Sequence, residues 1–543
     1  MGKKGNKDEF IVQATILAMA GIICRIIGIL YRSPLTGIIG DEGNGYYSSA
    51  YNIYTIILLV SSYSIPSAIS KVIAERLALK EYKNAHRIFK CALIYVIVIG
   101  GIASLFTFFC AGILVEKNAV VVLRVFAPTI FFSGILGVLR GYFQAHGTMV
   151  QTSFSQIIEQ VLNAAVSVLA AYILVNIAAG ESATTRAIYG AAGSAIGTGS
   201  GVVIALLVMY MFYILNRKMF RHRIEHDKRK EIDSYSHIFK IIFFMVTPVI
   251  MSTFIYNSST VFNQTIYTKI MKLVKEVPTD TIYTNYGIFA GKAVVIMNIP
   301  IALASAMSSA MIPTIAGSFA TGNQEETNEK VGSAINTTML IAIPAAVGMA
   351  VLAKPIMQLL FPQKGSLELA SNLLRVLSIT VVFYGLSTLT NAVLQGIGKV
   401  NKPVINAALA LIIQTIVLVP ILLFTDWNLY CLAIAMIVYS LCMCVLNHRA
   451  IVKSLGYKEN WMKTFVKPFW AAIMMGAIAH VVYKGIHWIY PSNTISLCGS
   501  ILASVIVYFA MVIKLRIVTE EELNAIPKGW LLVKVARKVR LIK

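Results

Sequence analysis

Apolar residues in this chain run in long unbroken stretches, without the period-two alternation of a half-buried strand. Stretches of eighteen or more recur from end to end, each long enough to cross a bilayer as a helix. They predict an all-α polytopic membrane protein of about fourteen transmembrane helices: 10–39, 46–74, 88–115, 119–143, 152–178, 186–215, 237–268, 283–316, 331–361, 368–396, 402–424, 428–451, 463–489 and 494–515. The first stretch runs to Ile39, too long for the apolar region of a cleaved signal, and reads as a span. The connecting segments alternate in chemistry. "MGKKGNK", "ERLALKEYKNAHRIFK", "NRKMFRHRIEHDKRK" and "HRAIVKSLGYKENWMK" are rich in Lys and Arg, whereas "GDEGNG", "NIAAGES", "KEVPTD" and "YPSN" are poor in them. The basic set is assigned to the cytoplasm, which places both termini inside the cell membrane. "TGNQEETNEK" (321–330) is acidic on the inner side, but acidic residues weigh little in this rule.

Composition agrees. Of 543 residues 57% are hydrophobic and 13% charged, at a mean hydropathy of +0.74, where a soluble chain carries about 25% charged residues. The net charge of +23 resides largely in the cytoplasmic connections, which argues against nucleic acid as a partner. The tail from Lys528 alternates apolar and basic residues, a pattern suited to anionic membrane lipids. Seven cysteines all fall in apolar segments without metal-ligand spacing, so no metal or cofactor is expected. There is no Walker A, HExxH or GxSxG motif and no credible pair of carboxylates, and the external connections are short. A membrane glycosyltransferase is thereby disfavoured, and the protein is not expected to be an enzyme.

An internal repeat sets the expected organisation. At a constant offset of 251, Leu123, Arg124, Val125, Thr129, Phe132, Gly134, Gln144 and Gly147 recur as Leu374, Arg375, Val376, Thr380, Phe383, Gly385, Gln395 and Gly398. This pairs span four with span ten. The expectation is two six-helix lobes, 1–215 and 235–455, joined by a basic linker at 216–234 and related by a parallel repeat. Two further helices occupy 456–515, followed by a basic tail at 516–543.

Charge within a span costs roughly 2.5–3.5 kcal/mol and tends to face a cavity. Arg124, Arg375, Arg140 and Lys354 lie near span ends, where long side chains can reach the interface. Glu159 either pairs with a nearby base or couples to a proton or cation. Lys71 follows "IPSAIS", a Pro-distorted stretch suited to lining an opening. Arg25 and Arg32 share one helical face in "GIICRIIGILYRSPL", and Lys292 sits in "YGIFAGKAVVIMNIP". Neither Arg25 nor Lys292 has an evident acidic partner within one helical turn. Arginine grips phosphate oxygens through two donors and lysine supplies a compact charge, so these residues suit a pyrophosphate-bearing substrate.

"RIIGILYRSPLTGIIG", "YGIFAGKAVVIMNIPIALASAMSSAMIPTIAGSFATGN" and "GLSTLTNAVLQGIGKVNKPV" resemble the MurJ-like lipid II flippases, in the branch of polysaccharide biosynthesis and stage V sporulation protein B-like proteins. Their superfamily also holds oligosaccharide-lipid flippases and multidrug/cation antiporters. The resemblance implies a cavity alternating between inward- and outward-facing states, through which a polyprenyl-pyrophosphate-linked saccharide passes to the outer leaflet. It assigns Arg25 to the family's first-helix arginine and Lys292 to its span-eight arginine. Arg32 lies one residue past a second family arginine, and Asp41 or Asn44 falls near an acidic residue. Two positions depart from the pattern. Gly291 stands where the family is acidic, and "NIYTIILLVSSY" has no charge where the family has a span-two arginine, which leaves Lys71 to compensate. A multidrug/cation antiporter is the alternative, and would call for buried carboxylates.

Overall fold

The computed structural model describes residues 16–17, 19–63, 65–227, 233–518 and 537. The expected lipid-binding tail at 516–543 therefore lies almost wholly outside the described residues, as does the middle of the basic segment 216–234. The described residues are overwhelmingly helical and form two compact units, Met1–Gly291 and Lys292–Lys543.

The first unit contains α1 (Met19–Leu30), α2 (Arg32–Leu58), α3 (Ile65–Ala78), α4 (Tyr82–Phe109), the short α5 (Ala111–Leu114), α6 (Val120–Ala145), α7 (Val150–Ile177), α8 (Ala183–Glu225), α9 (Tyr235–Leu273) and α10 (Thr279–Ile288). Both α9 and α10 pack on α2, so this division by contact falls later in the chain than the basic segment. Acidic residues near that segment tie it to the α3–α4 connection. Arg76 holds Glu81 at 2.7 Å and Asp233 at 2.8 Å, and the Lys83 amide donates to Asp227 at 2.9 Å.

The second unit contains α11 (Val294–Ala320), α12 (Gln324–Val351), α13 (Ala353–Leu360), α14 (Leu367–Gly396), α15 (Asn401–Phe424), α16 (Leu429–Leu455), α17 (Lys467–Ile489) and α18 (Asn493–Lys514). Buried Asn447 links three of them. Its amide donates to Asn391 Oδ1 at 2.7 Å and Thr390 Oγ1 at 3.1 Å, and its oxygen accepts from Asn406 at 2.8 Å. In apolar surroundings such side chains must find one another, because lipid offers no partner.

Among the described residues eleven helices are long and apolar enough to cross a membrane, or twelve if the bent pair Met19–Leu30 and Arg32–Ser62 is one span. The difference from fourteen falls on three segments. Expected span seven lies in α9, and expected spans one and two lie in that bent pair.

That pair contains a reversal. Gly40 has φ +70° and ψ −179°, outside the helical region and accessible essentially only to glycine. On a continuous helix Thr36 and Asn44 would be separated by roughly 12 Å. Instead Asn44 Nδ2 donates to Thr36 Oγ1 at 2.9 Å. The segment 32–39 therefore ends one span and 41–58 begins the next, with one residue between them. Nothing lies within 4 Å of a Cβ placed on Gly40, so a Gly40→Ala change meets only the backbone penalty. It is expected to cost about 1–3 kcal/mol, read as a lower melting temperature than Gly21→Ala, a helical position that is equally open.

Candidate functional site

The sequence "QIIEQVLN" in α7 places Gln156, Glu159, Gln160 and Asn163 at positions i, i+3, i+4 and i+7, a polar stripe on an otherwise apolar helix. This stripe lines a cavity of about 630 Å³ within the first unit. Arg140 and Gln144 face it from α6, Tyr51, Tyr54 and Thr55 from α2, Thr198 from α8 and Asn257 from α9.

Three glycines set the rotation of α7. Gly193, Gly197 and Gly201 follow one another at four-residue spacing along α8. Cβ atoms added to them would stand 2.5 Å from Ala171 N, 2.3 Å from Ser167 N and 2.5 Å from Glu159 O. The two backbones therefore meet along a glycine seam, the close approach by which small residues join helices in lipid. Ser167 Oγ lies 3.0 Å from Ser194 O across the seam and 3.0 Å from Asn163 Oδ1 on its own helix, with one proton to share between them. The seam runs beside the polar stripe on α7, since a Cβ on Gly201 would also stand 3.2 Å from Asn163 Cβ, and it thereby fixes where the stripe meets the cavity.

The cavity's one lining carboxylate is neutralised. Arg140 Nη2 donates to Glu159 Oε2 at 2.7 Å, and Arg140 Nε donates to Ser155 Oγ at 2.9 Å. Of the two readings open for Glu159 from sequence, the structure displays the ion pair. Arg140 is bound to that carboxylate rather than reaching the interface, whereas Arg124, Arg375 and Lys354 are exposed.

Arg25 is exposed on α1, beside the cavity wall. The adjacent Cys24 thiol donates to the Gln156 carbonyl at 3.4 Å, and a Cβ on Gly28 would stand 3.2 Å from Gln160 Nε2. Arg32 is half-buried, its guanidinium 5.7 Å from the centroid of the Tyr47 ring. The Tyr47 hydroxyl is 3.4 Å from Thr198 Oγ1, so Arg32 is one aromatic ring removed from a cavity-lining residue. Lys71 is exposed on α3 and does not line this cavity. Lys292, in the second unit, is 1% exposed. Its Nζ donates to Ser366 Oγ at 2.6 Å and lies 5.9 Å from the Phe361 ring centroid. Of the side chains named from sequence, Arg25 and Arg32 flank a cavity of the first unit, and Lys292, in the second, is buried.

Sequence reasoning missed the amides. Gln156, Gln160 and Asn163 carry no charge, and a search for charge in oil passes over them, although their helical spacing around Glu159 was available. The departure at Gly291 has a steric reason. A Cβ there would stand 3.0 Å from Asn44 Cβ, so a larger residue would have to push the Asn44 side chain aside.

A family model described as lipid II flippase MurJ matches residues 81–498. The chain belongs to that family. Two curated relatives come from Bacillus subtilis (strain 168). A lipid II flippase MurJ is 23% identical over 519 residues, covering 91% of each chain. Stage V sporulation protein B is 24% identical over 535 residues, covering 96% of this chain and 98% of the relative. Among solved structures, a lipid II flippase MurJ in an inward closed conformation aligns with a TM-score of 0.62 at 14% identity, over 92% of this chain and 98% of that one. An inward-facing multidrug transporter of the MATE family aligns with a TM-score of 0.58 at 16% identity, over 82% and 99%. These likenesses establish the fold that MurJ and MATE proteins share. This MurJ-family protein is a multi-pass membrane transporter and not an enzyme.

Proposed function

We propose that this protein flips a polyprenyl-pyrophosphate-linked saccharide, lipid II foremost, from the cytoplasmic to the outer leaflet by alternating access, for peptidoglycan or polysaccharide synthesis. The observation that carries this over a multidrug/cation antiporter is the charge of the cavity. Its one lining carboxylate is held by Arg140 at 2.7 Å, so a cationic drug finds no counter-charge among the lining residues. The flanking Arg25 and Arg32 favour an anion instead. In this reading Arg25, Arg32 and Lys292 attract and hold the pyrophosphate, and Lys71 assists at the cytoplasmic mouth. A negative-inside potential favours outward movement of an anion by about 2.3 kcal/mol per charge per 100 mV. Any cation coupled to the return step acts at Glu159, where it would have to compete with Arg140. The basic tail at 516–543 rests on anionic lipids, and both termini are cytoplasmic.

Arg25→Ala and Lys292→Ala are each expected to abolish growth rescue in a bacterium depleted of its own lipid II flippase, while accumulating in the membrane to wild-type amounts. Full rescue by both variants would remove the pyrophosphate assignment.

A further inference from the structure

The cavity of the first unit has the chemistry of a neutral polyol site. The side-chain amides of Gln144, Gln156 and Gln160 all line it and are half-buried, and none makes a hydrogen bond among the described residues. Each offers two N–H donors and a carbonyl acceptor, and with no protein partner these groups are available to a polar occupant of the cavity. Asn163 adds to the set, since Ser167 and Thr198 occupy only its oxygen. The volume, about 630 Å³, falls in the usual range of roughly 300–1,000 Å³ for small-molecule sites.

The same inventory excludes other occupants. A metal ion would need several anionic or imidazole ligands, and no group of three His, Cys, Asp or Glu suited to one exists among the described residues. A bare phosphate would need an uncommitted cation, but Arg140, the one basic residue lining the cavity, is bound to Glu159. An apolar molecule would leave the amides unmatched. What remains is a ligand that is neutral, that both donates and accepts at several points, and that presents a flat aliphatic face to the half-buried ring of Tyr51. Hydroxyl- and acetamido-bearing pyranose rings have this chemistry.

We propose that the first-unit cavity binds the saccharide of the transported lipid, with Gln156, Gln160 and Asn163 as its principal hydrogen-bonding side chains and the Arg140–Glu159 pair as a fixed polar wall. The proposal rests on the flippase reading and deepens it by dividing the labour. The cations named in that reading hold the pyrophosphate, while neutral amides inside the first unit recognise the sugar. Binding to a site built from hydrogen bonds discriminates strongly against a ligand that lacks the matching groups.

The test uses the full chain in lipid nanodiscs and two probes, lipid II and undecaprenyl pyrophosphate without sugar, with binding followed by native mass spectrometry. The doubly substituted Gln156→Leu, Gln160→Leu protein is expected to lose about tenfold or more in affinity for lipid II while binding the sugar-free lipid as the wild type does. The sugar-free lipid thus reports folding within the same experiment. Should the double variant bind neither probe, the isosteric Gln160→Glu must show the selective loss, or the proposal falls. Equal weakening toward both probes, or no weakening, also overturns the saccharide site and leaves the flippase reading intact. A wild-type protein that binds neither probe overturns the flippase reading, and the saccharide site with it.

Discussion

Gly197→Leu is expected to leave no folded protein in the membrane. A Cβ at this position would stand 2.1 Å from Ser167 Oγ and 2.3 Å from Ser167 N. The hydroxyl could rotate away, but the backbone nitrogen belongs to a helix clamped at Gly193 and Gly201 as well. Relief would require separating α7 from α8 along the whole seam. Overpacking typically costs about 1–3 kcal/mol where neighbours can shift. The glycine-seamed pair forfeits its close van der Waals contact as soon as the axes part, and that contact is the main attraction between helices in lipid. Gly197→Ala should therefore lie near the upper end of that range, and the leucine beyond it. Fluorescence-detected size-exclusion and thermal melting of detergent extracts measure both. Gly180→Ala, where nothing lies within 4 Å, serves as the harmless control. A monodisperse, wild-type-like Gly197→Leu protein would refute the seam.

Arg140→Leu carries the second-largest expected effect. It leaves the Glu159 carboxylate facing the cavity without its guanidinium. Removing one partner of a fully buried pair costs about 3–5 kcal/mol. Here the side chains retain 15% and 28% of their exposure, so water in the cavity screens part of the penalty. A loss of about 2 kcal/mol is expected, seen as a lower melting temperature. Adding Glu159→Gln to that variant should recover most of the loss, because the amide removes the stranded charge. Glu159→Gln alone, which strands the guanidinium, should also destabilise. If the double variant is no more stable than Arg140→Leu, the ion pair is not the source of the effect.

The spans were readable from sequence because lipid imposes a minimum apolar length that only a helix meets. The hairpin at Gly40 was readable as a polar break, but its tightness was not. Glycine preceding "DEGNG" suits a loop equally well, and only the bond between Asn44 and Thr36 shows that no loop exists. Arg25, Arg32 and Glu159 stood out because charge in oil is rare. Arg140 did not, since proximity to a span end supplied a ready explanation, and its partner lies 19 residues away on another helix. The amides remained hidden because hydropathy averages treat a glutamine stripe as a slightly weaker span. The seam escaped for a related reason: glycines at four-residue spacing matter only once the facing helix is known.

The reversal at Gly40 also constrains motion. Two antiparallel segments joined by one residue and cross-tied by Asn44 and Thr36 have no slack with which to slide past each other. Segments 32–39 and 41–58 are thereby expected to move together. Arg32 is carried on one arm and Tyr51 and Tyr54 on the other, so a displacement that moves the guanidinium also moves the phenol rings of the cavity wall. In the flippase reading, an anion that displaces Arg32 would therefore also displace the wall of the first-unit cavity.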